Sequence, residues 1–218
     1  MRCISAGGVA GELTLAAVFR IIRSMKAFKT AKVLAAAMAA FALTGCLTSA
    51  SVPEIACWNV EYFGERAGRG VESRFGVARV SQVVVRAPYA VKGLAVLRAN
   101  GTVAFDPYNE YAAGPNALLK GVVEDALAAS GLFKSVVGAS SAAGASVAVE
   151  VTVTRLALDC RKEGVRHALA ELELRLLDGR EIVSSVKGSG VADAAGGNYG
   201  EALSGAVSDA LKAALGLL

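Results

Sequence analysis

Two stretches of strict alternation constrain this chain more than any other feature. Val147, Val149, Val151 and Val153 alternate with Ala148, Glu150, Thr152 and Thr154. Ala168, Ala170, Leu172, Leu174 and Leu176 alternate with Leu169, Glu171, Glu173 and Arg175. A period of two puts one set on each face of a strand, so both stretches predict half-buried strands. A slip of one residue would bury Glu171 and Glu173, so the pattern also sets which face is inside.

The surrounding chain supplies partners for these strands. Ala56 to Phe63 alternates, with Trp58, Val60 and Tyr62 on one face, and predicts a strand. The valine-rich run from Phe75 to Arg86 predicts another, and Phe133 to Val137 a short one. Leu94 to Arg98 and Thr102 to Phe105 flank Ala99-Asn100-Gly101, a hairpin whose Asn-Gly pair suits a type I′ turn. Asp178-Gly179 predicts a second hairpin, leading into Arg180 to Lys187.

Two segments carry helical spacing instead. Pro115 is placed to open a helix with a stripe of Leu118, Leu119, Val122, Val123, Ala126 and Leu127, and Gly131 to close it. From Tyr199 to Leu215 the stripe is Ala202, Leu203, Ala206, Val207, Ala210, Leu211, Ala214 and Leu215. Asn198 and Glu201 stand three apart before it, as an N-cap and its capping-box partner. The alanines permit a close approach to a sheet. The fold class expected is α/β (α+β-like): one domain over 56–218, with a mixed, mostly antiparallel sheet and two amphipathic helices packed on it.

The first 45 residues do not belong to that domain. Lys26, Lys29 and Lys32 precede an uncharged apolar run from Val33 to Leu43, which ends in Thr44-Gly45-Cys46. Such a run is short for a membrane span, which needs about 20 residues, and has the anatomy of an export signal. Leu43-Thr44-Gly45-Cys46 resembles the lipobox of bacterial lipoproteins. That resemblance implies cleavage before Cys46, a lipid on its thiol, an acylated new N-terminus and no other cofactor. Residues 25–45 are then the signal peptide and 46–55 the lipidated tether. Met25 opens a complete signal by itself, so residues 1–24 read as a misassigned start or an extended n-region. Residue 47 is Leu rather than Asp, and the lipoprotein resemblance then implies an outer-membrane destination, facing the periplasm.

Removing the leader changes the meaning of the charge. The whole chain carries +4. Residues 1–45 hold six basic side chains and one acidic, net +5, which leaves −1 for 46–218. Nucleic-acid binding needs a clustered positive surface, and the mature segment has no excess of positive charge. Apolar residues at 54% with charged residues at 19% also exclude an intrinsically disordered chain.

No catalytic constellation is legible in the sequence. His167 is the sole histidine and falls on a predicted strand, where an exposed structural role is expected. Glu171 and Glu173 share a face, as paired acids would, and a solvated strand face accounts for them. Gly188-Ser189-Gly190 lacks the third glycine of a dinucleotide loop. No Cys/His spacing suits a metal. Of four cysteines, Cys3 lies in the leader and Cys46 is the lipid site, which leaves Cys57 and Cys160. In an oxidising compartment these are expected to pair, closing a loop of about 100 residues.

The stretch from Arg86 to Val137 carries an ordered series of features. Leu97-Arg98 ends a strand, Tyr108 and Tyr111 follow, Pro115 starts a long helix, and Gly131-Leu132-Phe133-Lys134-Ser135-Val136 leads into a strand. The series resembles the ABC-type transport auxiliary lipoproteins, the family containing the lipoprotein component of MCE-type lipid-transport systems. The resemblance implies an α/β fold and a non-enzymatic role in the outer membrane. The partners implied are an MCE protein and an ABC permease with its ATPase. Phe105, Tyr108 and Tyr111 are the aromatics expected at a partner contact, since aromatics are enriched at interfaces, or else they pack the start of the first helix. The alternative function is a structural or assembly lipoprotein of the envelope unrelated to transport.

Overall fold

The valine alternation becomes the axis of an eight-stranded mixed sheet in the computed structural model, which describes residues 53–68 and 72–218. Residues 1–24, the signal 25–45, the Leu43–Cys46 motif and the tether before Pro53 lie outside the described residues. In chain order the elements are β1 (Ala56–Trp58), β2 (Phe75–Val85), β3 (Gly93–Arg98), β4 (Val103–Tyr111), α1 (Pro115–Ser130), β5 (Phe133–Val137), β6 (Val147–Cys160), β7 (His167–Asp178), β8 (Glu181–Asp193) and α2 (Tyr199–Leu215).

One edge of β6 is shared by two strands laid end to end. β2 pairs with its first half, from Ala78↔Val147 to Val85↔Val153, and β3 with its last residues, from Val96↔Leu158 to Arg98↔Cys160, both parallel. β5 extends β2 in parallel, β4 pairs antiparallel with β3, and β1 adds in parallel to β4. The other edge of β6 carries β7 and then β8, both antiparallel. Parallel and antiparallel pairings are both present, and the longest ladders, β6–β7 and β7–β8, are antiparallel. Both helices pack on the sheet and touch each other, α1 over β2 and β5, α2 over β7 and β8.

The side chains obey the alternation. Val149, Val151, Ala168, Ala170, Leu174 and Leu176 are at most 1% exposed, while Glu150, Glu171, Glu173 and Arg175 stay half-buried on the other face. Each buried Leu or Val contributes about 1.5–3 kcal/mol by leaving water. The helix stripes face inward as the spacing predicts: Leu119, Val123, Ala126 and Leu127 from α1, and Leu203, Ala206, Ala210, Leu211 and Ala214 from α2, are all at most 2% exposed. Gly131 closes α1 in the left-handed conformation (φ 71°), and Asn198 caps α2, its side chain accepting from the Glu201 N–H. No helix among the described residues is long and apolar enough to cross a membrane.

Three local expectations are corrected. The strand expected over Ala56 to Phe63 pairs only at Ala56–Trp58. Residues 59–63 remain extended but run along α2 instead of along a strand. The Glu61 N–H donates to Ser204 Oγ (2.9 Å) and the Phe63 N–H to Ser208 Oγ (2.7 Å). Two residues of extended chain cover about 6.6 Å and one four-residue step of helix about 6 Å, so the two periods match.

The Asn100-Gly101 turn is not type I′. Only Gly101 takes a positive φ (80°), and its N–H donates to the Arg98 carbonyl (2.9 Å). This is a three-residue loop closed by a left-handed glycine, with Asn100 Oδ1 accepting from the Thr102 N–H and hydroxyl.

β8 runs six residues beyond Lys187, the end expected for it. Its inner face there is Gly188, Gly190 and Ala192. A Cβ on Gly188 would lie 1.9 Å from the Ala210 carbonyl oxygen, and one on Gly190 2.0 Å from that of Ala206. The strand continues because it has no side chains where the helix backbone passes.

Candidate functional site

β4 departs from regular strand geometry where the notable aromatics lie. Pro107 has no N–H to give a ladder and is confined to edges or bulges. The β3–β4 register accordingly jumps: Gly93 pairs with Glu110, yet Ala95 pairs with Phe105. Asp106, Pro107 and Tyr108 loop outward, held by the Asp106 carboxylate accepting the Tyr108 N–H at 2.8 Å. Phe105 and Tyr108 are left 45% and 40% exposed, and Ile55, just before β1, is 53% exposed. Ala56 pairs with Asn109, so Ile55 comes level with Tyr108.

Tyr111 does not belong with them. It is 1% exposed in the core, and burial pushes its phenol well above the ordinary tyrosine range. It lies three residues from Tyr108, an odd step that puts it on the opposite face of β4, so a partner contact through Tyr111 is excluded. Phe105 and Tyr108 keep the exposure such a role requires. The signal for this division was the odd spacing of Tyr108 and Tyr111, which a strand sends to opposite faces.

The two cysteines are not brought together. Cys57 in β1 pairs with Glu110, and Cys160 in β6 pairs with Arg98. Three inter-strand spacings and five residues of strand length separate them, on the order of 20 Å, against the roughly 4.4–6.8 Å between Cα atoms that a disulfide needs. No disulfide joins them; the Cys57 thiol donates to Glu110 Oε1 at 3.5 Å instead. The expected Cys57–Cys160 bond is corrected on this geometry. Lys92 Nζ reaches the same Glu110 oxygen at 2.7 Å and holds the carboxyl below its usual range.

Beneath β1, a polar chain ties strands to helix. Trp58 Nε1–H donates to the buried Asn109 Oδ1 (2.8 Å), and the indole meets the Tyr199 ring edge-on at 5.9 Å. Arg166 Nη1 donates to the Tyr199 hydroxyl at 3.0 Å. These residues join β1, β4, the loop before β7 and the start of α2.

The face of the sheet carrying Glu171 and Glu173 has a shallow, open depression bordered by Arg86, Glu171, Glu173 and Lys187. Its carboxylates are paired. Arg155 Nη1 donates to Glu171 at 2.7 Å, while Arg175 and the Ser185 hydroxyl donate to Glu173, whose carboxyl is held below its usual range chiefly by Arg175. Glu171 and Glu173 therefore act as ion-pair partners on the half-buried polar face of the sheet.

His167 is half-buried rather than exposed, because its neighbours across the ladders, Asp159 on β6 and Asp193 on β8, flank it on both sides. Asp159 is engaged by Arg161, whose Nε and Nη2 donate to its two oxygens at 2.9 and 2.7 Å, and its pKa is held down to about 2 mainly by that contact. A depressed carboxyl stabilises the fold above its unfolded value near 4, and the contribution is lost as pH falls toward 2. We expect NMR titration of Asp159 to give a midpoint near 2 in the native chain. Arg161→Gln should raise it toward about 4. An unchanged midpoint in the variant would refute this assignment of cause.

Neither protein-family models nor curated proteins match this chain. Among solved structures, it is similar to protein XCC0632 of Xanthomonas campestris, described as DUF330, with a TM-score of 0.56 and 15% identity over 73% of this chain and 92% of that one. The PelC dodecamer of Paraburkholderia phytofirmans aligns at 13% identity, TM-score 0.38, over 68% of this chain and 91% of that one. Lipoprotein GNA1162 of Neisseria meningitidis aligns at 13% identity, TM-score 0.27, over 55% and 83%. The last two superpositions are too loose to carry an argument. The first shows a shared fold, so the single α/β domain of this chain is one already seen across nearly the whole of the Xanthomonas protein.

Proposed function

We propose that this chain is an outer-membrane lipoprotein, anchored through Cys46, that serves as a non-catalytic accessory component of an ABC/MCE-type lipid or solvent-resistance transport system. It acts through contacts with an MCE protein and the permease–ATPase complex. The observation that carries the reading is the ordered series from Leu97-Arg98 through Tyr108, Tyr111 and Pro115 to Gly131–Val136. In the folded domain that series is one continuous stretch, β3 to β5. The export signal ending in Leu43-Thr44-Gly45-Cys46 supports an anchored, envelope-facing domain. The ion-paired Glu171 and Glu173 support a role in binding over one in acid–base chemistry.

Genetic epistasis tests the reading. Cells lacking this chain should show the same sensitivity to lipophilic solvents and detergents as cells lacking the permease, and removing both should add nothing. Additive sensitivity would place the chain in a separate envelope process and overturn the transport role.

A further inference from the structure

The irregular register of β4 leaves Phe105 and Tyr108 on the surface, and the register of β1 brings Ile55 level with Tyr108. These three exposed apolar side chains stand where the chain enters the fold. Eight residues, 47–54, separate Ile55 from Cys46. Whatever path they take, a peptide spans at most about 3.3–3.6 Å per residue, which limits Ile55 to roughly 30 Å from a lipid on Cys46. A domain of this size is about 30–40 Å across, so a lipid-held tether keeps the Ile55 end within about one domain width of the bilayer. Aromatic rings favour the headgroup region, where an apolar body and a polar tip are both accommodated, as for a tyrosine. A second weak contact beside a tether also gains from high effective concentration.

We infer that Ile55, Phe105 and Tyr108 form the face on which the domain rests against the bilayer carrying its own lipidated Cys46. This rests on the anchor proposed above. The anchor supplies attachment, and the patch sets orientation, turning β4 and β1 toward the lipid and leaving β8 away from it.

Depth-dependent quenching tests this with the acylated, full-length mature protein in vesicles of phosphatidylethanolamine and phosphatidylglycerol bearing brominated acyl chains. Tyr108→Trp is compared with Val183→Trp, a still more exposed position on β8, against the common background of the chain's one tryptophan, Trp58. The added emission in Tyr108→Trp should be quenched at least about twofold more strongly than that in Val183→Trp. Equal quenching, with both indoles open to aqueous acrylamide, would overturn membrane contact and assign the patch to a protein partner. Intact mass separates the two claims. An acylated chain without differential quenching refutes the orientation alone, and a chain lacking acyl mass refutes the anchor and the orientation together.

Discussion

Gly190→Ala lowers the stability of this domain by about 3 kcal/mol or more, although the change adds a single carbon. Strand propensity alone argues the opposite sign, because glycine inside a strand is unfavourable relative to alanine by roughly 0.5–1 kcal/mol. The difference lies in what the carbon meets. A Cβ at Gly190 would sit 2.0 Å from the Ala206 carbonyl oxygen and 2.7 Å from the Ala210 nitrogen, both helix backbone that no rotamer change can move. α2 would have to lift from β8, opening the contact along which Gly188 meets Ala210 and Ala192 faces Gly205. Thermal unfolding should show a drop of about 6–12 °C, since each kcal/mol shifts a domain of this size by about 2–4 °C. Gly144→Ala is the control: its Cβ would meet nothing within 4 Å, so its midpoint should barely move. A stabilised Gly190→Ala would show that helix and strand are not in contact there.

The paired substitution Ser204→Ala with Ser208→Ala is the second large effect. Both hydroxyls are buried, 2% and 1% exposed, and each accepts a backbone N–H from the extended segment, Glu61 and Phe63 respectively. That segment has no strand partner, so the serines stand in for one. An amide left without its acceptor costs about 1–3 kcal/mol. We expect about 2–4 kcal/mol for the pair, toward the lower end because the segment is partly open to water. Hydrogen exchange should quicken at the Glu61 and Phe63 amides while those of the β6–β7 ladder keep their order of protection. Unchanged exchange at both amides would contradict the proposed docking of this segment on α2.

The two helices and the β6–β7–β8 meander were legible because periodicity reports burial directly. Asn198, Pro115 and Gly131 stand where caps belong, and the alternation of Val147 to Val153 and of Ala168 to Leu176 sets which face of each strand is buried, with a register shift between Val153 and Arg155. What escaped was set by partners far away in sequence. Gly188 and Gly190 weaken a strand locally, and only the arrival of Ala206 and Ala210 explains the run of β8 past Lys187. Ser204 and Ser208, four apart beside an apolar stripe, gave no hint that an extended segment would use them. Number and compartment favour pairing of Cys57 with Cys160, yet neither carries any distance. Tyr108 and Tyr111 are alike as aromatics, and their odd spacing along β4 puts Tyr108 on the surface and Tyr111 in the core. The anchor motif at Leu43–Cys46 was read from sequence pattern alone, through charge, apolar length and a terminal cysteine.

Membership in an ABC/MCE transport assembly can be tested by recovering that assembly from cells. The acylated chain, tagged at its C-terminus and lightly crosslinked in intact cells, is purified from solubilised envelopes and its companions identified by mass spectrometry. An MCE protein together with the permease or its ATPase should be enriched over a Cys46→Ala control that lacks the anchor. Recovery of the acylated chain with other envelope proteins, and with no MCE, permease or ATPase component, would contradict it.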